Sequence, residues 1–143
     1  MKRARFFFWL AAITAVLLLS SCKIVINTDD DDSFRHFNSS LRGTWETPPG
    51  TPSDMDTRVV IDSDSITITG TGRPQPLDRF TPDSQLRGYS RTTRNSWDEK
   101  EGYIYIRDRG SWQSPVKYIY WEDLNGEKRL TLKASPDLTL FRQ

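Results

Sequence analysis

The sequence predicts an all-β domain: an antiparallel meander of about eight strands closed into a small barrel, behind a signal peptide and a disordered tether. Three observations predict it. Beyond residue 41, apolar residues recur at alternate positions in short runs, the spacing that places them on one face of a pleated strand. The runs are separated by Pro, Gly, Asp and Ser, which supply turn conformations. No stretch there repeats its apolar residues at the roughly 3.6-residue period of an amphipathic helix.

The chain opens with an export signal. Lys2, Arg3 and Arg5 form a basic start, residues 6–19 carry no charge, and Leu19, Ser20, Ser21 and Cys22 follow in the order of a lipobox. The apolar run is too short for the roughly 20 residues of a spanning helix and matches a signal-peptide core of roughly 7–15. These residues resemble the start of bacterial lipoproteins, whose cysteine is acylated on its thiol and, after cleavage, on its new amino terminus. The resemblance implies that residues 1–21 are removed, that Cys22 is the lipidation site, palmitate being a typical acyl group, and that the membrane is a partner through this anchor. Each buried methylene contributes about 0.8 kcal/mol, so several acyl chains hold where a single one binds marginally. Lys23, in place of aspartate after the cysteine, resembles lipoproteins sorted to the outer membrane. The expected location is therefore the bacterial cell envelope. Cys22 is the only cysteine, so no internal disulfide can form.

Residues 22–40 read as a lipidated acidic tether. Asp29, Asp30, Asp31 and Asp32 repel one another and keep the chain hydrated, and they lack the alternate oxygens and obligate glycine of a calcium loop. His36, the only histidine, falls in this spacer. The whole chain carries a formal net charge of +1, and loss of the signal's three cations leaves the mature protein near −2. Neither value suggests a nucleic-acid partner. Residues 41–143 suffice for one β-barrel domain, and a monomer is expected.

Eight strands are expected, at 41–47, 57–62, 65–70, 86–93, 102–108, 116–123, 127–133 and 138–142. Closure into a barrel removes unpaired edges, although an open sandwich also satisfies the pattern. Asn125 and Gly126 suit a two-residue type I′ turn. That turn sets Trp121 opposite Leu130 and Ile119 opposite Leu132, with Glu122 and Asp123 facing Arg129 and Lys128. Trp121 and Ile119 then face inward, and Tyr118 and Tyr120 outward. On the preceding strand Ile104 and Ile106 face inward, and Tyr103 and Tyr105 outward. Tyr103, Tyr105, Tyr118 and Tyr120 would thus form one outer stripe, a candidate ligand-binding surface, since tyrosine presents a rigid apolar area with a polar tip.

Gly43 and Trp45 in the first strand and Arg142 in the last are similar to the closure signature of lipocalins and related calycin-type barrels. The resemblance implies that the arginine packs across the indole and that a small hydrophobic molecule is bound. A guanidinium over an indole contributes about 0.5–2 kcal/mol whatever the family. The chain is shorter than a lipocalin, and a short eight-stranded barrel can fill its interior with side chains.

Catalysis has little support, and no cofactor or metal is expected. Outside the tether the chain has no histidine or cysteine, which removes Ser–His and Cys–His nucleophiles and the usual zinc ligands. Glu46, Asp98, Glu99, Glu101, Asp108 and Glu122 remain as possible acid–base carboxylates, but most neighbour Arg or Lys or lie near predicted turns. Asp62, Ser63, Asp64 and Ser65 read as a hairpin turn. Arg73, Arg79, Arg87, Arg91, Arg94, Arg107 and Arg109 interleave with Tyr89, Trp97 and Trp112, a set able to engage an anionic glycan or lipid headgroup by forked hydrogen bonds and stacking. Residues 74–85 are rich in turn-formers and read as a long mobile loop at the barrel mouth.

Two readings follow. In the first, a lipid-anchored, lipocalin-like envelope protein holds a small apolar or amphipathic ligand in its barrel. In the second, a filled barrel presents an outer Tyr/Arg surface to an envelope protein or polysaccharide, in some settings as an inhibitor.

Overall fold

The structure is a computed structural model in which residues 35–143 are described; Cys22, the signal peptide and the aspartate run lie outside the described residues. The described chain is an antiparallel barrel of β1 (Gly43–Glu46), β2 (Thr57–Ile61), β3 (Ser65–Gly70), β4 (Leu86–Asn95), β5 (Glu99–Asp108), β6 (Ser111–Trp112), β7 (Val116–Glu122), β8 (Lys128–Leu132) and β9 (Leu138–Arg142). All eight expected strands are present. The two-residue β6 is additional: it folds back on β5, Arg107 opposite Trp112, along the edge that β7 uses earlier in the strand.

Each main strand pairs with its neighbours in sequence, and β9 returns to β1 with Trp45 opposite Arg142 and Glu46 opposite Phe141. The circle closes, so no long edge is left to recruit another chain. Alternation then sorts the side chains. Val59 and Ile61, Ile66 and Ile68, Ile104 and Ile106, Leu130 and Leu132, and Leu138 and Leu140 point inward and form one buried cluster around Trp45. At roughly 25 cal/mol per Å² of apolar surface removed from water, this cluster is the main source of stability.

The sequence reading needs correction at three places. The first is the hairpin register. β7 pairs with β8 as Tyr118–Leu132, Tyr120–Leu130, Trp121–Arg129 and Glu122–Lys128, one residue away from the type I′ expectation. The loop holds three residues. Asp123 closes it, its amide donating to the Glu127 carbonyl while its Oδ1 accepts the amides of Asn125 and Glu127 at 2.9 and 2.8 Å. Gly126, at φ +83°, takes the left-handed position that ends such a turn. Aspartate first and glycine fourth is the preference of a type I turn. The shift by one exchanges the faces of β7, so Tyr118 and Tyr120 are buried in the core, on the face of Leu130, while Trp121 lies on the opposite face.

The second correction concerns where the body begins. Residues 35–40, assigned to the tether, are built into the barrel. β3 and β4 pair over only two positions, and the preceding segment fills the gap beyond them. The Phe37 amide donates to the Ser63 carbonyl at 2.7 Å, and the Asn38 amide to Ser90 Oγ at 2.8 Å. The Phe37 ring is buried, and a Cβ on Gly88 would stand 2.7 Å from its Cζ, so glycine is required there.

Third, residues 74–85 are not a loose mouth loop. Leu77 and Phe80 are both 1% exposed and cap one end of the core. Arg73 donates to the Phe80 carbonyl at 2.8 Å, and Gln75 bridges to Ser135. Asp108 fixes the far side of the cap by accepting the Thr81 amide and hydroxyl, both at 2.9 Å.

Candidate functional site

Among the described residues, large side chains are packed into the barrel interior. The bulkiest of them are Trp45, Tyr118, Tyr120, Phe37 and Phe80, all below 2% exposure. The core hydroxyls have partners: Tyr118 meets Thr92 Oγ1 at 3.0 Å, and Tyr120 donates to Glu122 Oε2. Burial raises the pKa of both phenols, and for Tyr120 the hydrogen bond to Glu122 and its negative charge raise it further. Both therefore remain neutral hydroxyls across the physiological range.

The first and last strands meet as a plug. Trp45 donates from Nε1 to the Leu41 carbonyl at 2.7 Å and packs edge-on to Tyr120 with ring centroids 6.2 Å apart. The Arg142 guanidinium lies 5.8 Å from the indole centroid, and Gly43, at φ +132°, has Arg142 Nε 3.0 Å from where a Cβ would stand. Gly43, Trp45 and Arg142 thus come together at one end of the barrel. Lys100 adds a second cation, 5.4 Å from the Tyr120 ring and bonded to Ser40 Oγ at 2.8 Å.

The outer tyrosine stripe is reduced to Tyr103 and Tyr105, because Tyr118 and Tyr120 face the core. A different partner joins them. Tyr89 lies opposite Tyr105 in the β4–β5 register, and the two rings stack at 4.7 Å with their planes 4° apart. Trp112, carried onto the same face by β6, meets Tyr89 edge-on at 5.2 Å. Arg35 and Arg91 lie 5.1 and 5.9 Å from the Tyr89 centroid, and Arg91 is also 5.7 Å from Tyr105. Although Tyr89 is on the outer wall, these neighbours leave it only 6% exposed.

Two further arginines border the cluster. Arg87 and Arg107 stand directly opposite each other in the register, an arrangement that like charge disfavours. Asp64 joins Arg35, Arg87 and Trp112 around a small cleft. Arg91 is exposed and, among the described residues, has no carboxylate partner; two ring faces hold its guanidinium instead. Stacking leaves the edge of a guanidinium open for forked hydrogen bonds, so this face can take a planar or tetrahedral anion.

The remaining arginines are dispersed. Arg73 caps the 77–80 turn, Arg79 reaches the Ser114 carbonyl, and Arg94 pairs with Glu99 at 3.3 Å. Most of the candidate carboxylates are also engaged: Glu46 with Arg58, Glu101 with Lys117, Glu122 with Tyr120 and Lys128, and Asp108 with Thr81. Residues 62–65 form the expected hairpin turn, the Asp62 amide donating to the Ser65 carbonyl at 2.9 Å.

Arg35 was the member of the cluster that sequence reasoning missed, since it lies in the presumed tether. The signal that could have found it is the Phe37 two positions on, an apolar residue out of place in a solvated spacer. No protein-family model, curated protein or solved structure matches this chain.

Proposed function

We propose that this chain is a lipid-anchored binding protein of the bacterial envelope, held at the outer membrane through Cys22, whose packed barrel is a rigid platform for an anion-recognising outer face. The reading rests on one observation: Arg35 and Arg91 converge on the stacked pair Tyr89 and Tyr105, beside Trp112, Arg87 and Arg107. Arg91, held by two ring faces and without a carboxylate partner among the described residues, keeps the edge of its guanidinium for forked hydrogen bonds to an anionic partner. Because the rings and strands are held before binding, little further ordering is required of the protein. The alternative of a small apolar ligand inside the barrel has less support, because core side chains occupy that space.

The role is one of binding rather than catalysis. It is supported by the engagement of Glu46, Glu99, Glu101, Asp108 and Glu122 in structural pairs, which leaves them poorly placed to share a proton with a substrate.

Retention of the detergent-solubilised full chain on dextran sulfate, compared with neutral dextran, tests the proposal. The sulfated polymer should retain the wild type with a strong salt dependence, although the mature protein is net acidic. Arg91→Ala and Tyr105→Ala should each weaken retention several-fold in protein that still shows a cooperative melting transition. Equal retention by both polymers, or by both variants and the wild type, would refute it.

A further inference from the structure

A second site lies at the end of the barrel, where the turns joining β4 to β5 and β7 to β8 meet. Trp97 is 73% exposed and Leu124 88% exposed, whereas the other leucines among the described residues are buried. Trp97, Trp121, Leu124, Asp98, Glu122, Asp123 and Asn125 line one open groove of about 310 Å³, at the lower end of the roughly 300–1,000 Å³ of small-molecule sites.

The groove is built before anything enters it. Arg129 covers the Trp121 ring at 4.3 Å from its centroid and is itself held by Glu127 at 2.9 Å. The two turns are tied together by the Glu122 amide, which donates to the Asp98 carbonyl at 2.8 Å, and the first turn is closed by Ser96 on the Glu99 carbonyl. Indole surface with acceptors at its margin suits a ligand having apolar C–H faces and an equatorial ring of hydroxyl donors. Among the described residues, the Asp98 carboxylate and the Asn125 side-chain amide have no partner within the protein, and Asp123 uses Oδ1 for backbone amides while Oδ2 stays open.

Charge selects among possible occupants. Asp98, Glu122 and Asp123 bring three carboxylates to the lining, and of the cations beside it Lys128 pairs with Glu122 at 3.6 Å and Arg129 with Glu127 at 2.9 Å. An anionic lipid surface or acidic glycan would be repelled here. We infer that this groove binds neutral pyranose units of an oligosaccharide, by stacking on Trp97 and Trp121 and by hydrogen bonds to Asp98, Asp123 and Asn125. The site is separate from the anion-recognising face and does not depend on it.

The test is titration of the detergent-solubilised full chain with the N-acetylglucosamine trimer and with cellotriose, read by indole emission and by calorimetry. At least one should give a saturable response. Trp97→Ala should weaken it about tenfold and Asp98→Ala several-fold, both at unchanged melting temperature because the side chains are at the surface. Arg91→Ala should leave the response intact, which separates this site from the other face. No saturable response to either sugar would overturn the inference, as would equal binding by Trp97→Ala. So would a Trp97-dependent interaction seen only with a protein or with anionic vesicles.

Discussion

Arg91 shows how a residue on a strand exterior is given a fixed direction. Its guanidinium shares the faces of Tyr89 and Tyr105, so its direction is set by two rings, each cation–π contact contributing about 0.5–2 kcal/mol. Asp108 shows the opposite use of charge, a carboxylate consumed by structure. Burial works to raise its pKa, but the Thr81 amide and hydroxyl, with Arg109, outweigh burial and hold it below the usual aspartate value. A depressed pKa stabilises the fold above the unfolded-state pKa and ceases to do so as pH falls through the folded value. The melting temperatures of wild type and Asp108→Asn should therefore differ by a constant amount at neutral pH and converge below about pH 4. A gap that persists unchanged to pH 2 would contradict this role.

At the scale of the element, the strands were legible and their register was not. Period-two runs located all eight main strands because alternation is imposed by the pleat. In β7, however, both faces carry large side chains, Tyr118 and Tyr120 on one and Ile119 and Trp121 on the other, so alternation cannot choose between them. The turn decides, through the Asp123 carboxylate that holds two amides of a three-residue loop. Attention to Asn125 and Gly126 alone hid that aspartate. The arginine–tyrosine face was legible in part for the same reason: Tyr103, Tyr105 and Arg91 follow from alternation, whereas Tyr89 and Tyr105 stack only because of the β4–β5 register. Gly126 itself has open space around it, so Gly126→Val acts through its positive φ alone. It should cost about 1–2 kcal/mol in urea unfolding, and Gly126→Asn markedly less. Equal midpoints for valine and wild type would contradict the turn.

For the whole molecule, closure and filling are linked. The chain from Phe37 seals the seam between β3 and β4, the 77–80 turn caps one end, and Trp45 with Arg142 plugs the other, which is why the proposed binding face is an outer one. Trp45 and Arg142 were legible as a closing pair, whereas the other two elements were hard to read because they lie outside the alternating strands, in segments whose prolines and polar residues suggested mobility. The proposed acylation at Cys22 would hold the platform at the membrane. Cys22→Ala should shift the protein from the detergent phase to the aqueous phase in Triton X-114 partitioning; unchanged partitioning would remove the anchor from the account.

The central claim is that recognition occurs on the outer arginine–tyrosine face and not inside the barrel. The tryptophans report on each place: Trp45 in the core, Trp112 on the outer face, Trp97 and Trp121 at the end groove. The most direct test is titration of ¹⁵N-tryptophan-labelled protein with dextran sulfate, followed through the indole N–H resonances. The account predicts that the Trp112 signal moves while that of Trp45, bonded to the Leu41 carbonyl, stays fixed. Movement of Trp45 with Trp112 unchanged would contradict it.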